Sequence, residues 1–376
     1  MNAPQRDAVV RDDIVPTARG MGATPERRAG IDALRAYRTV PMPTGHDLSD
    51  NTNRFGVPPA AAQALREFEG TSVSRYPSPS NEALCAALAG YVGVRADEVV
   101  TGCGGDDVLD SALRAFGRPG ARLAFVAPTF VMVEHFARTN ALLPVAVPRA
   151  AGGGFDVEAL IAARADMVYL CSPNNPTGER LPAGALERVL EATPGLVILD
   201  EAYAEYAGVT VAAQAPSHGR LLVARTMSKA FGLAGLRIGW GVGAAPVIAA
   251  IEKARGPYKV AAPSEAAALA ALAHDREWVA SCVAQAVACR ERFVSELVAG
   301  GFAPLPSAAN FVLVPVADAR GASTTLRSKG IAVRAFEALP GIGDALRITV
   351  APWSVMQTVV AVLRDDVAPS VIAGRS

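Results

Sequence analysis

One stretch near the middle of the chain, residues 226–240, constrains the chemistry of this protein more than any other. It reads TMSKAFGLAGLRIGW, so it sets a single lysine, Lys229, among small apolar residues and places Arg237 eight positions later. The chain has only four lysines among its 36 basic residues. Arginine keeps its proton, whereas a lysine removed from water can lose it, and a neutral amine forms Schiff bases. A lone lysine is more often a surface residue, so the rest of the chain must decide between these interpretations.

The composition is that of an ordinary globular protein with two domains, because 376 residues exceed what one small core holds. The formal net charge is zero, which gives no argument for a nucleic acid or an anionic membrane as partner. No apolar run is long enough to span a membrane, and the amino terminus lacks the apolar segment of a secretory signal. The five cysteines are scattered and lack metal-ligand spacing, so we expect reduced thiols, no metal site and a cytoplasmic location.

Several apolar runs end in polar or aromatic residues. The runs at 123–128, 167–171, 196–199 and 221–225 are typical of buried strands, and they lead to Phe130, Asn175, Asp200 and Lys229. In open α/β sheets, ligands bind beyond the carboxyl ends of the strands, so we expect these four side chains at one site. A carboxylate such as that of Asp200, at the end of an apolar strand, requires a partner of positive charge.

A glycine-rich turn provides a candidate anion site. A strand at 99–101 leads into the string GCGGDD at 102–107 and a predicted helix. Glycines let the backbone approach a phosphate, and the free amides at a helix start attract an anion. The turn is not a dinucleotide-binding fingerprint, because position 107 is Asp where that pattern needs glycine. Ser228 and Arg237 could add side-chain donors to a phosphate.

The last third of the chain indicates a smaller domain. From residue 265 the pattern is helical and amphipathic through 299, and three predicted strands follow at 310–314, 331–334 and 345–350. We therefore predict an α/β protein in four parts. They are a flexible extension at 1–30, a segment bordering the site at 31–54, a large domain at 55–265 and a small domain at 266–376.

Taken in order, these motifs resemble those of the fold-type I enzymes that use pyridoxal 5′-phosphate (PLP), the aspartate aminotransferase superfamily. The matching strings are SRYP at 74–77, the turn at 102–107, SPNNPTG at 172–178, DEAY at 200–203, SKAFGLAGLRIG at 228–239 and LRIT at 346–349. The lysine string most resembles the histidinol-phosphate aminotransferase branch, and the resemblance covers residues 31–365. It implies a large domain with a mainly parallel seven-stranded sheet between helices, a smaller α/β carboxy-terminal domain and PLP as cofactor.

The resemblance also implies a role for each matching residue. Lys229 would bind the cofactor and move the substrate proton, Asp200 would keep the ring nitrogen protonated, and Tyr203 would contact the phenolic oxygen. The other implied cofactor contacts are Gly104, Gly105, Asp106, Phe130, Asn175, Ser228, Arg237 and, from a neighbouring subunit, Tyr76. The implied substrate contacts are Arg347, Asn51 and Tyr37, of which the arginine would bind a carboxylate.

The implied function is transamination between an L-amino acid and a 2-oxo acid, in a homodimer with shared active sites. Two alternatives stay open, a histidinol-phosphate aminotransferase proper and a PLP-dependent decarboxylase, because the cofactor motifs do not select the bond that breaks. A PLP-sensing regulator would need a DNA-binding part, and the 30-residue extension is too short for one. Thr52, Arg54 and Pro352–Trp353 depart from the pattern of the branch. These departures predict a substrate other than histidinol phosphate, such as a non-proteinogenic or cationic amino acid.

Overall fold

The computed structural model describes residues 30–34, 45–151 and 153–370, and a seven-stranded sheet forms its centre. The predicted contact Tyr37 and most of the predicted amino-terminal extension lie outside these residues. The strands of the described chain are β1 (His46–Asp47), β2 (Val99–Cys103), β3 (Arg122–Ala127), β4 (Leu143–Pro148), β5 (Met167–Cys171), β6 (Val197–Asp200), β7 (Leu221–Thr226), β8 (Ile238–Gly243), β9 (Phe311–Pro315), β10 (Ile331–Ala332), β11 (Arg334–Leu339) and β12 (Gly343–Thr349).

The large sheet has the order β2-β8-β7-β6-β5-β3-β4, and β8 alone runs antiparallel to its two neighbours. The predicted mainly parallel seven-stranded sheet is therefore confirmed. Every residue of β5, β6 and β7 is buried, as expected for parallel strands covered on both faces. Because β3, β5, β6 and β7 are mutually parallel along the sheet, the residues that follow them meet at one edge.

Helices cover both faces of this sheet and build the smaller carboxy-terminal part. They are α1 (Pro59–Glu67), α2 (Glu82–Val92), α3 (Gly104–Phe116), α4 (Met132–Thr139), α5 (Val157–Ala162), α6 (Ala185–Ala192), α7 (Ala204–Ala207), α8 (Ala245–Ala254), α9 (Ala262–His274), α10 (Arg276–Ala299), α11 (Ala319–Ser328) and α12 (Trp353–Asp366). Short 3-10 helices lie at Ile31–Ala33, Gly70–Ser74, Ala96–Glu98, Ala212–Ser217 and Ala234–Leu236. Among the described helices, none is long and apolar enough to cross a membrane.

The strand residues alternate between two hydrophobic cores. On β5, Val168 and Leu170 pack in the core that includes α2 and α9, while Tyr169 and Cys171 face the core that includes α3, α4 and α8. Alternation of this kind follows from the period of two along a strand. Tyr169 and Cys171 therefore lie on the same side of the sheet as Ile198, which is two positions before Asp200 on β6.

A third core lies between α10, α11, α12 and the antiparallel sheet β11-β12-β9. Leu48, from the amino-terminal segment, is fully buried in it, because β1 pairs in parallel with β10. The change between cores occurs along α10, where Ala286 packs in the first core and Phe293 in the third. The boundary near residue 265 stays a prediction.

Candidate active site

Lys229 lies in the loop between β7 and β8, facing a cavity of about 330 Å³ at the carboxyl edge of the sheet. Its Nζ donates a hydrogen bond to the backbone oxygen of Asp50 at 3.0 Å. Burial, and after it the positive charge of Arg347, lower the pKa of Lys229 to about 8. A share of this amine is therefore neutral at physiological pH, as a nucleophilic or basic lysine requires.

Asp200 ends β6 at the same cavity and is 8% exposed. One carboxylate oxygen accepts the backbone N–H of Ala202 at 3.0 Å, and the other accepts the hydroxyl proton of Tyr169 at 2.8 Å. Burial raises the pKa of Asp200 to about 6, against the lowering effect of the Tyr169 hydrogen bond. No ion pair to Asp200 is found within the described ranges of the chain, so its carboxylate suits a cationic group of a ligand.

Tyr203 is buried beside Asp200, and its hydroxyl accepts a hydrogen bond from Asn51 Nδ2 at 3.0 Å. Asn51 also lines the cavity, but its side-chain oxygen and backbone N–H both bond Thr349, and its backbone oxygen accepts from Asn310 Nδ2 at 3.0 Å. The Thr349 hydroxyl donates to Asn51 Oδ1 at 3.1 Å and accepts the backbone N–H of Asn51 at 3.0 Å. The contact with substrate predicted for Asn51 stays a prediction, and its amide is committed to orienting Tyr203.

Arg347 and Asn175 meet across the cavity, although 172 positions separate them in the sequence. Arg347 Nη1 donates to Asn175 Oδ1 at 2.6 Å, and Nη2 donates to the backbone oxygen of Ser49 at 2.5 Å. The Arg347 guanidinium carbon lies 5.6 Å from the Phe311 ring and 5.9 Å from the Phe336 ring. Two aromatic rings and two fixed hydrogen bonds hold the guanidinium plane, which suits bidentate recognition of a planar carboxylate.

At the opposite end of the cavity, α3 begins at Gly104 beside Arg237. The Arg237 guanidinium is 3.5 Å from the Ser228 hydroxyl and 3.3 Å from the Asp106 carboxylate. Gly104 has a φ of +81°, which strains any other residue, and a Cβ there would lie 2.3 Å from Arg237 Nη2 and would displace the guanidinium. The start of α3, Arg237 and Ser228 together form a set of anion donors. Burial raises the pKa of Asp106, against the lowering effect of the positive charge of Arg237.

Gly105, Asp106 and Phe130 also line the cavity, and Phe130 follows β3 as predicted. Tyr76 does not line it; this residue is 82% exposed and stacks on Tyr258 with ring centroids 4.6 Å apart. In the described part of the chain, no group of three or more His, Cys, Asp or Glu side chains could hold a metal ion.

Among the described residues, none of the departures from the branch pattern lines this cavity. The Thr52 hydroxyl bonds the Asp50 carboxylate, and the Trp353 ring lies under the Arg292 guanidinium carbon at 3.7 Å. Neither residue, nor Arg54, lines the cavity formed by the described residues. The prediction that these departures change the substrate stays a prediction.

The sequence patterns did not indicate Tyr169 or Arg334 as candidate functional residues. Tyr169 lies within the apolar run at 167–171, which by itself indicates only a buried strand. Because side chains alternate along a strand, Tyr169 shares a face with Cys171, which lies opposite Asp200, and this was the available signal. Arg334 lies directly opposite Arg347 in the register of β11 and β12, a pairing that the sequence of either strand does not show. The Arg334 guanidinium carbon is 6.0 Å from the Phe336 ring.

The family profile "Aminotransferase class I and II" matches residues 43–363. This chain belongs to that family. It is similar to the histidinol-phosphate aminotransferase of Roseiflexus castenholzii, with 38% identity over 85% of this chain and 89% of that protein. It is also similar to the aromatic amino acid aminotransferase of Rhodococcus jostii, with 34% identity over 87% and 92%.

Solved structures agree with this membership. The histidinol-phosphate aminotransferase of Sinorhizobium meliloti, solved in complex with PLP, matches with a TM-score of 0.81 and 29% identity over 92% of this chain and 98% of that one. The chain is thus a fold-type I aminotransferase, a PLP-dependent transaminase of the histidinol-phosphate aminotransferase-like branch. The donor set fits the cofactor, because one cavity combines an anion site, a buried carboxylate without a described ion pair and a lysine amine.

Proposed function

We propose that this aminotransferase exchanges an amino group between an L-amino acid and a 2-oxo acid, using PLP held by Lys229. The proposal is supported by one observation. The Lys229 amine, the Asp200 carboxylate and the Arg347 guanidinium belong to residues that line the same cavity. These three groups supply an amine nucleophile, a counter-charge for a ring nitrogen and a carboxylate receptor. The two substrates would use the same groups in turn, in a ping-pong sequence.

The residues divide by the part of the cofactor that each would hold. The start of α3 with Gly104 and Gly105, together with Ser228 and Arg237, would bind the phosphate. Asp200 would face the ring nitrogen, Tyr203 and Asn175 the phenolic oxygen, and Phe130 the ring face. Bound PLP supplies an electron sink that allows the Cα–H bond of an attached amino acid to break.

The chain's own part in the reaction is to bind, orient and move a proton. Arg347 would fix the substrate carboxylate and so hold the Cα–H bond near the Lys229 amine. Lys229, with its pKa lowered to about 8, would take the proton from Cα and return it elsewhere on the substrate adduct. Asp200 and Tyr203 are buried, so little water reaches the Asp200 carboxylate and the Tyr203 hydroxyl.

Chemical trapping tests the assignment of Lys229. Borohydride reduction of the purified protein followed by peptide mapping should leave the pyridoxyl group on Lys229. The other lysines, Lys253, Lys259 and Lys329, are internal controls. Label on one of these three, or absence of bound PLP, would contradict the proposal.

A second candidate is histidinol phosphate as the substrate, favoured by Arg334 opposite Arg347, since two guanidinium groups suit a dianion. The two candidates separate in kcat/KM for histidinol phosphate beside aromatic, acidic and guanidino amino acids, with one common oxo acid. We expect the preferred substrate to be an amino acid with an α-carboxylate. A clear preference for histidinol phosphate, lost in Arg334→Gln, would assign the second candidate instead.

We also propose a homodimer in which Tyr76 reaches the cofactor phosphate of the partner subunit. In support, Tyr76 is the most exposed of the large apolar and aromatic side chains described, at 82%, and stacking on Tyr258 holds it at the surface. Aromatic residues are enriched in subunit interfaces.

We propose, in addition, that the enzyme works in the cytoplasm. All five cysteines are free thiols, which supports this location.

A further inference from the structure

The Asp200 carboxylate accepts a hydrogen bond from Tyr169, a tyrosine on the neighbouring strand β5. In the parallel pairing of β5 and β6, Cys171 lies opposite Asp200 and Tyr169 opposite Ile198. Tyr169 is therefore two residue pairs deeper in the sheet, on the same face, and its hydroxyl reaches Asp200 Oδ2 at 2.8 Å. Only 2% of Tyr169 is exposed, so water does not compete for this hydrogen bond.

The direction of this hydrogen bond is fixed by burial. Burial, and after it the negative charge of Asp200, raise the pKa of Tyr169 well above its usual value, so the phenol keeps its proton and acts as the donor. The hydrogen bond from Tyr169 is the largest cause that lowers the pKa of Asp200 against burial. A carboxylate at this depth would otherwise bind a proton, since its own ionisation is opposed by desolvation.

The other groups facing Asp200 do not replace Tyr169. From α3, the Asp106 carboxylate opposes the ionisation of Asp200, and from the loop after β7 the Lys229 ammonium favours it. Cys171, on β5, has a pKa raised well above its usual value, and its thiol donates to the backbone oxygen of Pro173 at 3.3 Å. The Tyr203 hydroxyl is engaged by Asn51. Among the described residues, Tyr169 is the one side chain that donates a hydrogen bond to Asp200.

We propose that Tyr169 is a positioning residue for this aminotransferase, which keeps Asp200 ionised and turns its free lone pairs toward the cofactor ring. The inference rests on the function proposed above, since Asp200 is useful in this state only beside a protonated ring nitrogen. With Oδ2 committed to Tyr169 and Oδ1 to the N–H of Ala202, the carboxylate plane is fixed. A proton shared between the ring nitrogen and Asp200 then stays on the nitrogen, because the tyrosine makes Asp200 a weaker base.

The test measures binding to the apoenzyme without using catalysis. The probe is 4′-deoxypyridoxine 5′-phosphate, which keeps the phosphate and ring of PLP but has no aldehyde to react with Lys229. Its dissociation constant is measured at pH 6.0 and pH 8.5 for the wild type, Tyr169→Phe and Tyr206→Phe. Tyr206→Phe is the matched control, because Tyr206 is also buried, in the first core, and makes no hydrogen bond to Asp200 in the described chain.

Without the tyrosine hydroxyl, Asp200 binds a proton at a higher pH, so the fraction ionised at pH 6.0 falls. We expect Tyr169→Phe to bind the probe about fivefold more weakly than the wild type at pH 6.0 and within about twofold of it at pH 8.5. Tyr206→Phe should follow the wild type at both values. The phosphate of the probe also titrates near pH 6, but equally for the three proteins.

A loss of the same size at both pH values would mean a structural role only, and would overturn the inference, as would no loss at all. The same loss at pH 6.0 in Tyr206→Phe would overturn it as well. These results are distinct from failure of the proposed function. A wild-type protein that does not bind the probe even at pH 8.5 would overturn both the cofactor assignment and the role of Tyr169.

Discussion

The charge of Lys229 depends on residues that are remote from it in sequence. Arg347, 118 positions further along the chain, contributes the second largest cause that lowers its pKa, and Arg237 contributes in the same direction. Asp50 and Asp106 act in the opposite direction. The reactivity of the lysine is therefore a property of the assembled cavity and not of the string SKAFG alone.

A pH profile tests this dependence at the level of the residue. Only the neutral amine reacts with an aldehyde, so capture of PLP by the apoenzyme should accelerate as pH rises, with a midpoint near pH 8 set by the lowered pKa of Lys229. Arg347→Gln removes a positive charge that disfavours the ammonium form, and the midpoint should move to higher pH. Stopped-flow absorbance measures the rates.

The matched control for this profile is Arg320→Gln, since Arg320 is an exposed arginine paired with Glu337 in the same part of the chain. It should leave the midpoint where it is in the wild type. A midpoint in the wild type near that of free lysine, about 10.4, or an unchanged midpoint in Arg347→Gln, would contradict the origin assigned to the shift.

The sequence predicted which residues meet at the cavity better than it predicted the contacts between them. Asp200, Asn175, Lys229 and Phe130 follow apolar strands, and strand direction alone brings such residues to one edge. The bonds Asn51–Tyr203 and Arg347–Asn175 span 152 and 172 positions. No local pattern encodes contacts of that range, because they depend on how the third core docks against the sheet.

At the scale of elements, apolar runs predicted the central strands, but breaks between elements depend on partners elsewhere. The helical pattern through 265–299 is two helices that meet at Asp275, whose carboxylate accepts the backbone N–H groups of Ala60 and Ala61 at the start of α1. The predicted strand at 331–334 is also divided, because β10 pairs with β1 while β11 pairs with β12.

The contact of β8 with the phosphate turn provides a prediction at this scale. A Cβ at Gly239 would lie 2.1 Å from the carbonyl carbon of Gly104 and 2.3 Å from the backbone nitrogen of Gly105. Gly239→Ala must therefore displace the start of α3, and we expect it to lower the free energy of unfolding by about 1–3 kcal/mol and to weaken PLP binding. Thermal unfolding and titration of the apoenzyme with PLP measure the two effects.

Gly235→Ala is the control, because a Cβ there would meet no atom within 4 Å and Gly235 is not among the described residues that line the cavity. It should fold and bind PLP nearly as well as the wild type. If Gly239→Ala kept both its stability and its affinity, the close packing of β8 on the phosphate turn would not be needed for the site.

At the scale of the whole molecule, the role proposed for Tyr76 requires a second subunit, because Tyr76 is 82% exposed and does not line the cavity of its own chain. Chains carrying Lys229→Ala and chains carrying a Tyr76 substitution of low activity are each expected to be inactive. After exchange of subunits, each hybrid dimer would contain one site with an intact Lys229 and an intact Tyr76, so part of the activity should return. An activity assay on the mixture, with exchange followed by native mass spectrometry, measures this.

The control is a mixture in which both substitutions lie in the same chain and the partner chain is inactive through Lys229→Ala, since no complete site can then form. Proven exchange without recovery of activity would contradict shared active sites. The sequence could suggest this sharing only through resemblance, because a single chain carries no physical record of which surface its copy contacts.

The pairing of β8 between β2 and β7 also determines when the site can form during synthesis. The phosphate turn joins β2 to α3, yet the neighbour that packs against it, β8, follows about 135 residues later. The segment at 46–51 has partners that are synthesised later still, namely β10 at 331–332 and Thr349. Loop closure of this range is slow compared with local helix formation. On the ribosome, we therefore expect the nascent chain to expose Lys229 as a solvated, protonated amine and to retain cofactor only after its carboxy-terminal strands have emerged.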